Sequence, residues 1–322
     1  MNILFTSSLI TPFIQEDLDF LQEQFKTRYL RTKGVRSLLL LPLELARSSL
    51  SFTWFASVYA GVVVFLGRVF GCRSIVVVGG VDVAHFPEVG YGIWVSPWKK
   101  YFARYTLRNA SKVLVVDPSL AEEAKQRAIY NGRNVEYIPT GYDHERWKPS
   151  GDKQKSVLTV ASCLSTERLK AKGVDFLIEV AADLPEIEFT LIGVRGDLVR
   201  ESLPTNLRVM EHVSQNELLE YYQRAKVYCQ PSMVEGLPNA LCEAMLCECI
   251  PVATNVGGTM RAVGSCGFLV EYRDRGAMKR ALLEALGSSS IIGVTARQHV
   301  IQRFPLVKRH QSLLRVIHEV LH

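Results

Sequence analysis

None of the seven cysteines forms a C-x-x-C pair or stands at ligand spacing from histidines, and their number is odd. That excludes a disulfide framework and a zinc knuckle. Cys72, Cys163, Cys229, Cys242, Cys247, Cys249 and Cys266 instead read as reduced thiols of the core. The dinucleotide fingerprint G-x-G-x-x-G is also missing. Gly79-Gly80 runs into Val81, Gly193 and Gly196 stand three apart, and Gly257-Gly258 precede Thr259, which disfavours a dehydrogenase. No apolar run reaches the roughly 20 residues needed to cross a bilayer. The nearest, residues 52–67 (FTWFASVYAGVVVFLG), stops at Arg68 and is expected to be a buried helix. The opening MNILFTSSLI lacks a basic leader followed by an apolar stretch and a cleavage site, so a cytoplasmic location is expected. Repeats of fixed period, low-complexity tracts and nucleic-acid-binding modules are absent, and no nucleic-acid partner is expected.

What remains is 322 residues of ordinary globular composition, 48% hydrophobic and 22% charged, a length that suits two domains. The net charge of +6 favours anionic partners such as nucleotides, phosphates or an acidic membrane surface. Short apolar runs alternate with helix-like segments, the pattern of parallel strands joined by crossover helices. Strands are predicted at residues 3–6, 75–78, 113–116 and 135–138. The rhythm breaks at residues 139–155, rich in turn formers and charge, and resumes with strands at 157–161, 189–192, 207–210, 227–230 and 250–253. Helices are predicted at 174–182, 216–225 and 239–247. The expected organisation is therefore α/β, with two doubly wound parallel-sheet domains over residues 1–149 and 150–305. A last helix, 306–322, could pack on either half or return to the first. Ligands of such sheets collect beyond the carboxyl ends of the strands, so the site is expected there, in a cleft between the domains.

The stretch VEGLPNALCEAM (234–245) places Glu235 and Glu243 on either side of a predicted helix start. Pro238 suits the first helical turn, and Gly236 lets the backbone approach a ligand. Free N–H groups at the helix start attract phosphate, which carboxylates would repel. The two acids make sense if each faces hydroxyls, Glu243 those of a ribose and Glu235 those of a sugar, on opposite sides of a diphosphate.

These residues lie in an ordered series: YCQPS (228–232), EGLPNALCEAM (235–245), IPVAT (250–254) and VGG (256–258). The series resembles the retaining GT-B glycosyltransferases of family 4, in which two glutamates with seven residues between them bound the donor site. IPTGYD (138–143) with WKP (147–149), KGVD (172–175) and HVSQNEL (212–218) extend the resemblance over most of the chain. It implies two Rossmann-like domains, the donor on the C-terminal one and a hydroxyl acceptor on the N-terminal one. It also implies a UDP- or GDP-sugar as donor substrate, no cofactor and no metal. Gly236, Leu237, Pro238, Asn239, Glu243 and Val213 are implied as donor-binding residues. Lys172 matches the family's donor-phosphate lysine. The place of the usual arginine holds Cys163, and Arg168, in the insertion-like segment 165–171, is the candidate replacement. A diphosphate leaving group needs such positive charge.

The N-terminal half departs further from the family. Where many members have a histidine after the strand at 75–78, this chain reads VGGVDVAH, leaving Asp82 as a sugar or acceptor contact and His85 as a weaker candidate. The loop after the first strand lacks the usual glycines. Asp17-Leu-Asp19 spells the acidic pair of another transferase fold, but it is expected within a helix with no strand leading into it and reads as chance. Residues 97–108 (PWKKYFARYTLR) mix aromatic and basic residues at helical spacing. A helix with an aromatic core face and a solvated basic face is the simpler reading; peripheral contact with anionic lipid at the inner face of a membrane is the alternative. A nucleotide-sugar epimerase and a non-catalytic nucleotide-sugar-binding subunit are the competing functions.

Overall fold

The computed structural model describes residues 1–199 and 203–322. It contains two compact units, Met1–Gly141 with Leu306–His322, and Tyr142–Pro305. The division falls ahead of residue 150 because residues 142–149 pack within the second unit. Trp147 lies edge-on to Tyr222 at 5.6 Å, and Arg297 donates to the carbonyls of His144 and Trp147 at 2.9 and 2.8 Å.

The first unit begins β1 (Asn2–Ser7), α1 (Pro12–Gln24), β2 (Lys26–Arg31), α2 (Gly34–Ala46), β3 (Leu50–Trp54) and α3 (Val58–Phe70). It continues β4 (Arg73–Val78), α4 (Lys99–Asn109), β5 (Lys112–Val115), α5 (Pro118–Ala128) and β6 (Val135–Tyr137). All its strands are parallel, in the order β2-β1-β3-β4-β5-β6. The predicted strands at 3–6, 75–78, 113–116 and 135–138 correspond to β1, β4, β5 and β6. Strand β2, KTRYLR, carried no apolar signal because it is the edge strand and stays partly exposed.

The apolar run 52–67 is not one helix. Its first residues complete β3, buried at every position, and Phe55, at φ +70°, breaks the chain. Ser57 then caps α3, its hydroxyl accepting from the Ala60 N–H at 3.3 Å. Periodicity could not separate a central strand buried on both faces from the helix after it. No described helix is long and apolar enough to cross a membrane. The segment carrying Asp17 is helical as expected, though a strand, β1, does precede it.

The second unit contains β7 (Gln154–Cys163), α6 (Thr166–Ala171), α7 (Val174–Ala182), β8 (Glu188–Val194), β9 (Leu207–Met210), α8 (Gln215–Arg224) and β10 (Ala225–Gln230). It ends α9 (Asn239–Leu246), β11 (Ile250–Thr254), α10 (Thr259–Val263), β12 (Phe268–Val270), α11 (Arg275–Gly287) and α12 (Ile291–Arg303). These strands are also all parallel, in the order β12-β11-β10-β7-β8-β9. The segment 165–171, expected as an insertion-like loop, is the short helix α6, capped by Ser165.

The final helix, α13 (Leu306–Leu321), packs within the first unit. Buried Arg309 donates from Nε to Asp17 Oδ1 at 2.6 Å and from Nη2 to Oδ2 at 2.5 Å. It also donates to the Pro139 carbonyl at 2.8 Å, while Trp54 Nε1 donates to Asp17 at 3.0 Å. Asp17 is thus a structural anchor for α13.

Candidate active site

In the second sheet the strand order reverses between β7 and β10. An open parallel sheet leaves a crevice at the carboxyl ends of such a strand pair. The β7 end leads through α6 to Lys172-Gly173, and the β10 end leads through residues 231–238 to α9. The two connections press together: the Met233 N–H donates to the Ala171 carbonyl at 2.9 Å. Gly173 sits at φ +66°, and a Cβ there would strike the Pro231 carbonyl oxygen, so only glycine fits. Gly257, in the loop after β11, has φ +48°, and a Cβ there would likewise strike the Glu235 carbonyl oxygen.

Lys172 Nζ meets Glu235 Oε1 at 2.6 Å. The same oxygen accepts from Gln230 Nε2 at 2.8 Å and from Ser232 Oγ at 2.7 Å. Three donors, one of them cationic, hold the carboxylate in one orientation, and Glu235 is only 8% exposed. The sequence reading assigned Lys172 to a diphosphate and Glu235 to a sugar as separate contacts; the structure joins them as an ion pair. Arg168 lies on α6, and its Nε is buried with no hydrogen-bond partner among the described residues. Nearby, burial pushes the Cys163 thiol up to about 11, opposed by the charges of Lys172 and Arg168. Both cations therefore act on the same end of β7.

Glu243 stands on α9, half-buried, and accepts from the Tyr222 hydroxyl at 3.1 Å. Burial pushes its carboxyl up to about 7, against the lowering effects of that bond and of Arg146. Tyr222 lies 6.0 Å from the Tyr228 ring, and the Tyr228 hydroxyl is 3.2 Å from Gln230 Oε1. A ring contact and three hydrogen bonds thus connect Glu243 to Glu235. Sequence reasoning gave no role to Tyr222, Tyr228, Gln230 or Ser232. The last three lie in the quoted YCQPS string, but their joint action appears only when β10 and the loop after it are folded.

Pro238 does not enter the first turn. It caps α9 at φ −76° and ψ 100°, and the helix begins at Asn239, because the residue before a regular helix must leave helical geometry. Asn239 Oδ1 accepts from the Tyr142 hydroxyl at 2.9 Å. Gly236, Leu237 and Pro238 are buried in the same turn. Val213, in the loop after the edge strand β9, lies just ahead of Ser214, which caps α8 in a capping box with Glu217.

In the first unit, Asp82 has a different role from the one expected. Its Oδ2 accepts from the Gly79 and Gly80 N–H groups at 2.6 and 3.2 Å, its Oδ1 accepts from the Ala56 N–H at 3.1 Å, and it is fully buried. Main-chain donors use both oxygens, so Asp82 organises the loops after β3 and β4 and is not open to a substrate. Burial still pushes its carboxyl up to about 6. His85 is exposed on the same loop.

Residues 155–288 match the family model described as Glycosyl transferases group 1. The phosphatidylinositol N-acetylglucosaminyltransferase gpi3 subunit of Schizosaccharomyces pombe is 25% identical over 174 residues, 50% of this chain and 38% of that one. The alpha-galactosylglucosyldiacylglycerol synthase of Streptococcus pneumoniae is 24% identical over 219 residues, 52% of this chain and 58% of that one. The chain thus spans less than two thirds of either relative. The structure of Anabaena HepE in complex with UDP-glucose superposes with a TM-score of 0.80 at 17% identity, covering 99% of this chain and all of that one. The fold is GT-B, with two Rossmann-like doubly wound units.

Proposed function

We propose that this chain is a glycosyltransferase that moves a sugar from a nucleotide diphosphate sugar to a hydroxyl acceptor, with retention of anomeric configuration and without a resident metal. The observation that carries the reading is the convergence of Lys172, Arg168 and Glu235 at the switch point of the second sheet, inside the segment that matches the family model. HepE, of the same fold, binds UDP-glucose, which supports a UDP-sugar donor.

In this reading the acceptor oxygen bonds to the anomeric carbon as the bond from that carbon to the diphosphate breaks, and the acceptor proton leaves on the departing phosphate oxygen. Lys172 and Arg168 stabilise the charge that develops on the diphosphate. Glu235 exchanges part of its bond to Lys172 for the hydroxyls of the transferred sugar, and Glu243 accepts from the ribose. The Schizosaccharomyces pombe and Streptococcus pneumoniae relatives are named for lipid substrates or products, which supports a lipid-linked hydroxyl as acceptor and peripheral contact of residues 97–108 with a membrane.

Thermal unfolding across a panel of UDP- and GDP-sugars tests donor binding, since a ligand that binds only the folded state raises the midpoint. Product analysis with the donor so identified then decides the reaction. A new glycoside with the donor's anomeric configuration supports transfer. A nucleotide-linked or free isomer would establish an epimerase, and binding with no turnover across lipid, glycan and small-molecule acceptors would leave a binding subunit.

A further inference from the structure

The successive crossovers from β2 to β5 all run in one direction across the first sheet, so right-handed connections place α2, α3 and α4 on one face. They lie side by side. The Tyr59 hydroxyl on α3 donates to the Gly34 carbonyl on α2 at 3.1 Å, and Phe65 on α3 meets Tyr105 on α4 edge-on at 6.2 Å.

The outer surface of this layer is apolar. Val35 and Leu39, one turn apart on α2, are 72% and 75% exposed, with Leu43 continuing the stripe. Phe65 and Val69 do the same on α3, and Trp98 and Tyr101 stand out at the start of α4. A water-soluble monomer rarely leaves so many large side chains uncovered in one region. The charges are of nearly one sign: the three helices contain Arg36, Arg68, Lys99, Lys100, Arg104 and Arg108 against one acid, Glu44. Arg68 donates to Asn109, and Arg104 and Arg108 donate to main-chain carbonyls at the end of α5, which leaves Arg36, Lys99 and Lys100 for the face. Arg28 already pairs with that acid at 2.9 Å.

Exposed aliphatic and aromatic side chains beside uncompensated basic residues are suited to the boundary between acyl chains and anionic headgroups. We propose that the α2–α3–α4 face docks on a bilayer carrying anionic lipid, the apolar side chains entering the acyl boundary and the basic ones lying among headgroups. A second copy of this chain fits the face poorly, because it would bring the same positive charge. The proposal extends to α2 and α3 the membrane contact proposed above for residues 97–108; it does not rest on the transfer reaction, and its test reads binding alone.

The test is sedimentation of the full chain with vesicles of phosphatidylcholine alone or of equimolar phosphatidylcholine and phosphatidylglycerol, at low and high salt. Binding to the anionic vesicles that weakens with salt is expected. Arg36→Glu with Lys99→Glu should weaken it by about fivefold or more per position, the effect of about 1 kcal/mol per basic residue. Leu39→Ser with Phe65→Ser should weaken it at least about tenfold. These positions are exposed, and far-UV circular dichroism checks that the variants remain folded. Three results would each overturn the proposal: no binding to anionic vesicles, equal binding to both kinds, or unchanged binding by both double variants. Dimerisation that Leu39→Ser with Phe65→Ser abolishes, without vesicle binding, would assign the face to self-association.

Discussion

Glu243→Gln should make the fold more tolerant of alkaline pH and the nucleotide site weaker. Burial raises the Glu243 carboxyl from 4.5 to about 7, which at about 1.36 kcal/mol per pH unit corresponds to roughly 3 kcal/mol. The sign follows from which state holds the proton. Below pH 4.5 the carboxyl is neutral in both folded and unfolded chains and costs nothing. As pH rises toward 7 the unfolded chain loses its proton while the folded one keeps it, so stability falls, and above 7 the whole penalty is present. Glutamine is neutral throughout and can still accept from the Tyr222 hydroxyl.

The stability difference between variant and wild type should therefore shift by about 3 kcal/mol in favour of glutamine between pH 4 and pH 8. Urea denaturation at a series of pH values measures it, and comparing differences cancels whatever the substitution does independently of pH. Calorimetry at pH 8 should show the opposite for ligand: loss of a charged acceptor weakens a UDP-type nucleotide about ten- to a hundredfold. For the wild type, nucleotide affinity should rise as pH passes through about 7. A stability difference that stays flat with pH would refute the burial argument. A flat difference together with full nucleotide affinity would remove Glu243 from the site.

Lys172→Ala should lower turnover more than donor affinity if its charge acts as the diphosphate departs, and unchanged kcat would exclude that role; Arg168→Ala in the same assay separates a second phosphate contact from a surface arginine. Gly173→Ala combines a left-handed backbone with a collision at the Pro231 carbonyl and should destabilise the second unit by about 2 kcal/mol or more, read by urea denaturation. Asp82→Ala strips the acceptor from three main-chain N–H groups and should cost about 1–3 kcal/mol for each that finds no water. Arg309→Ala leaves the Asp17 carboxylate buried without its cation and should destabilise the first unit by about 3–5 kcal/mol, seen as a lower midpoint.

The second half of the chain was more legible than the first for identifiable reasons. Strand β9 and helix α7 fall on their predicted residues, because Asn206 and Gly173 punctuate the chain immediately before them. In the first half, β2 carries charge at an edge, and β3 merges with α3 in one apolar run. The carboxylates and cations of the site were legible because Arg168 and Lys172 fall in one short stretch after β7, and Glu235 and Glu243 in one after β10. Their mutual contact was not, since the Lys172–Glu235 pair spans 63 residues, and neither was the anchoring Arg309–Asp17 pair of the first unit, which spans 292. Asp82 shows the complementary limit. An aspartate after a strand looks alike in sequence whether it faces a ligand or ties down main-chain N–H groups, and its burial and its main-chain donors separate the two.

The three acids singled out from the sequence therefore differ in what satisfies them. Asp82 has its acceptor capacity filled by the main chain, and the fold gains ordered loops. Glu235 has three donors on one oxygen, one of them a lysine that a diphosphate could engage in its place. Glu243 receives one hydroxyl and stays costly to ionise. A half-buried acid that the fold itself under-supplies with donors is stabilised only when something else brings them, and vicinal hydroxyls of a ribose would do so. This ordering follows from the partners alone. It predicts that nucleotide binding depends on pH through Glu243, whereas the bonds around Asp82 govern the stability of the first unit.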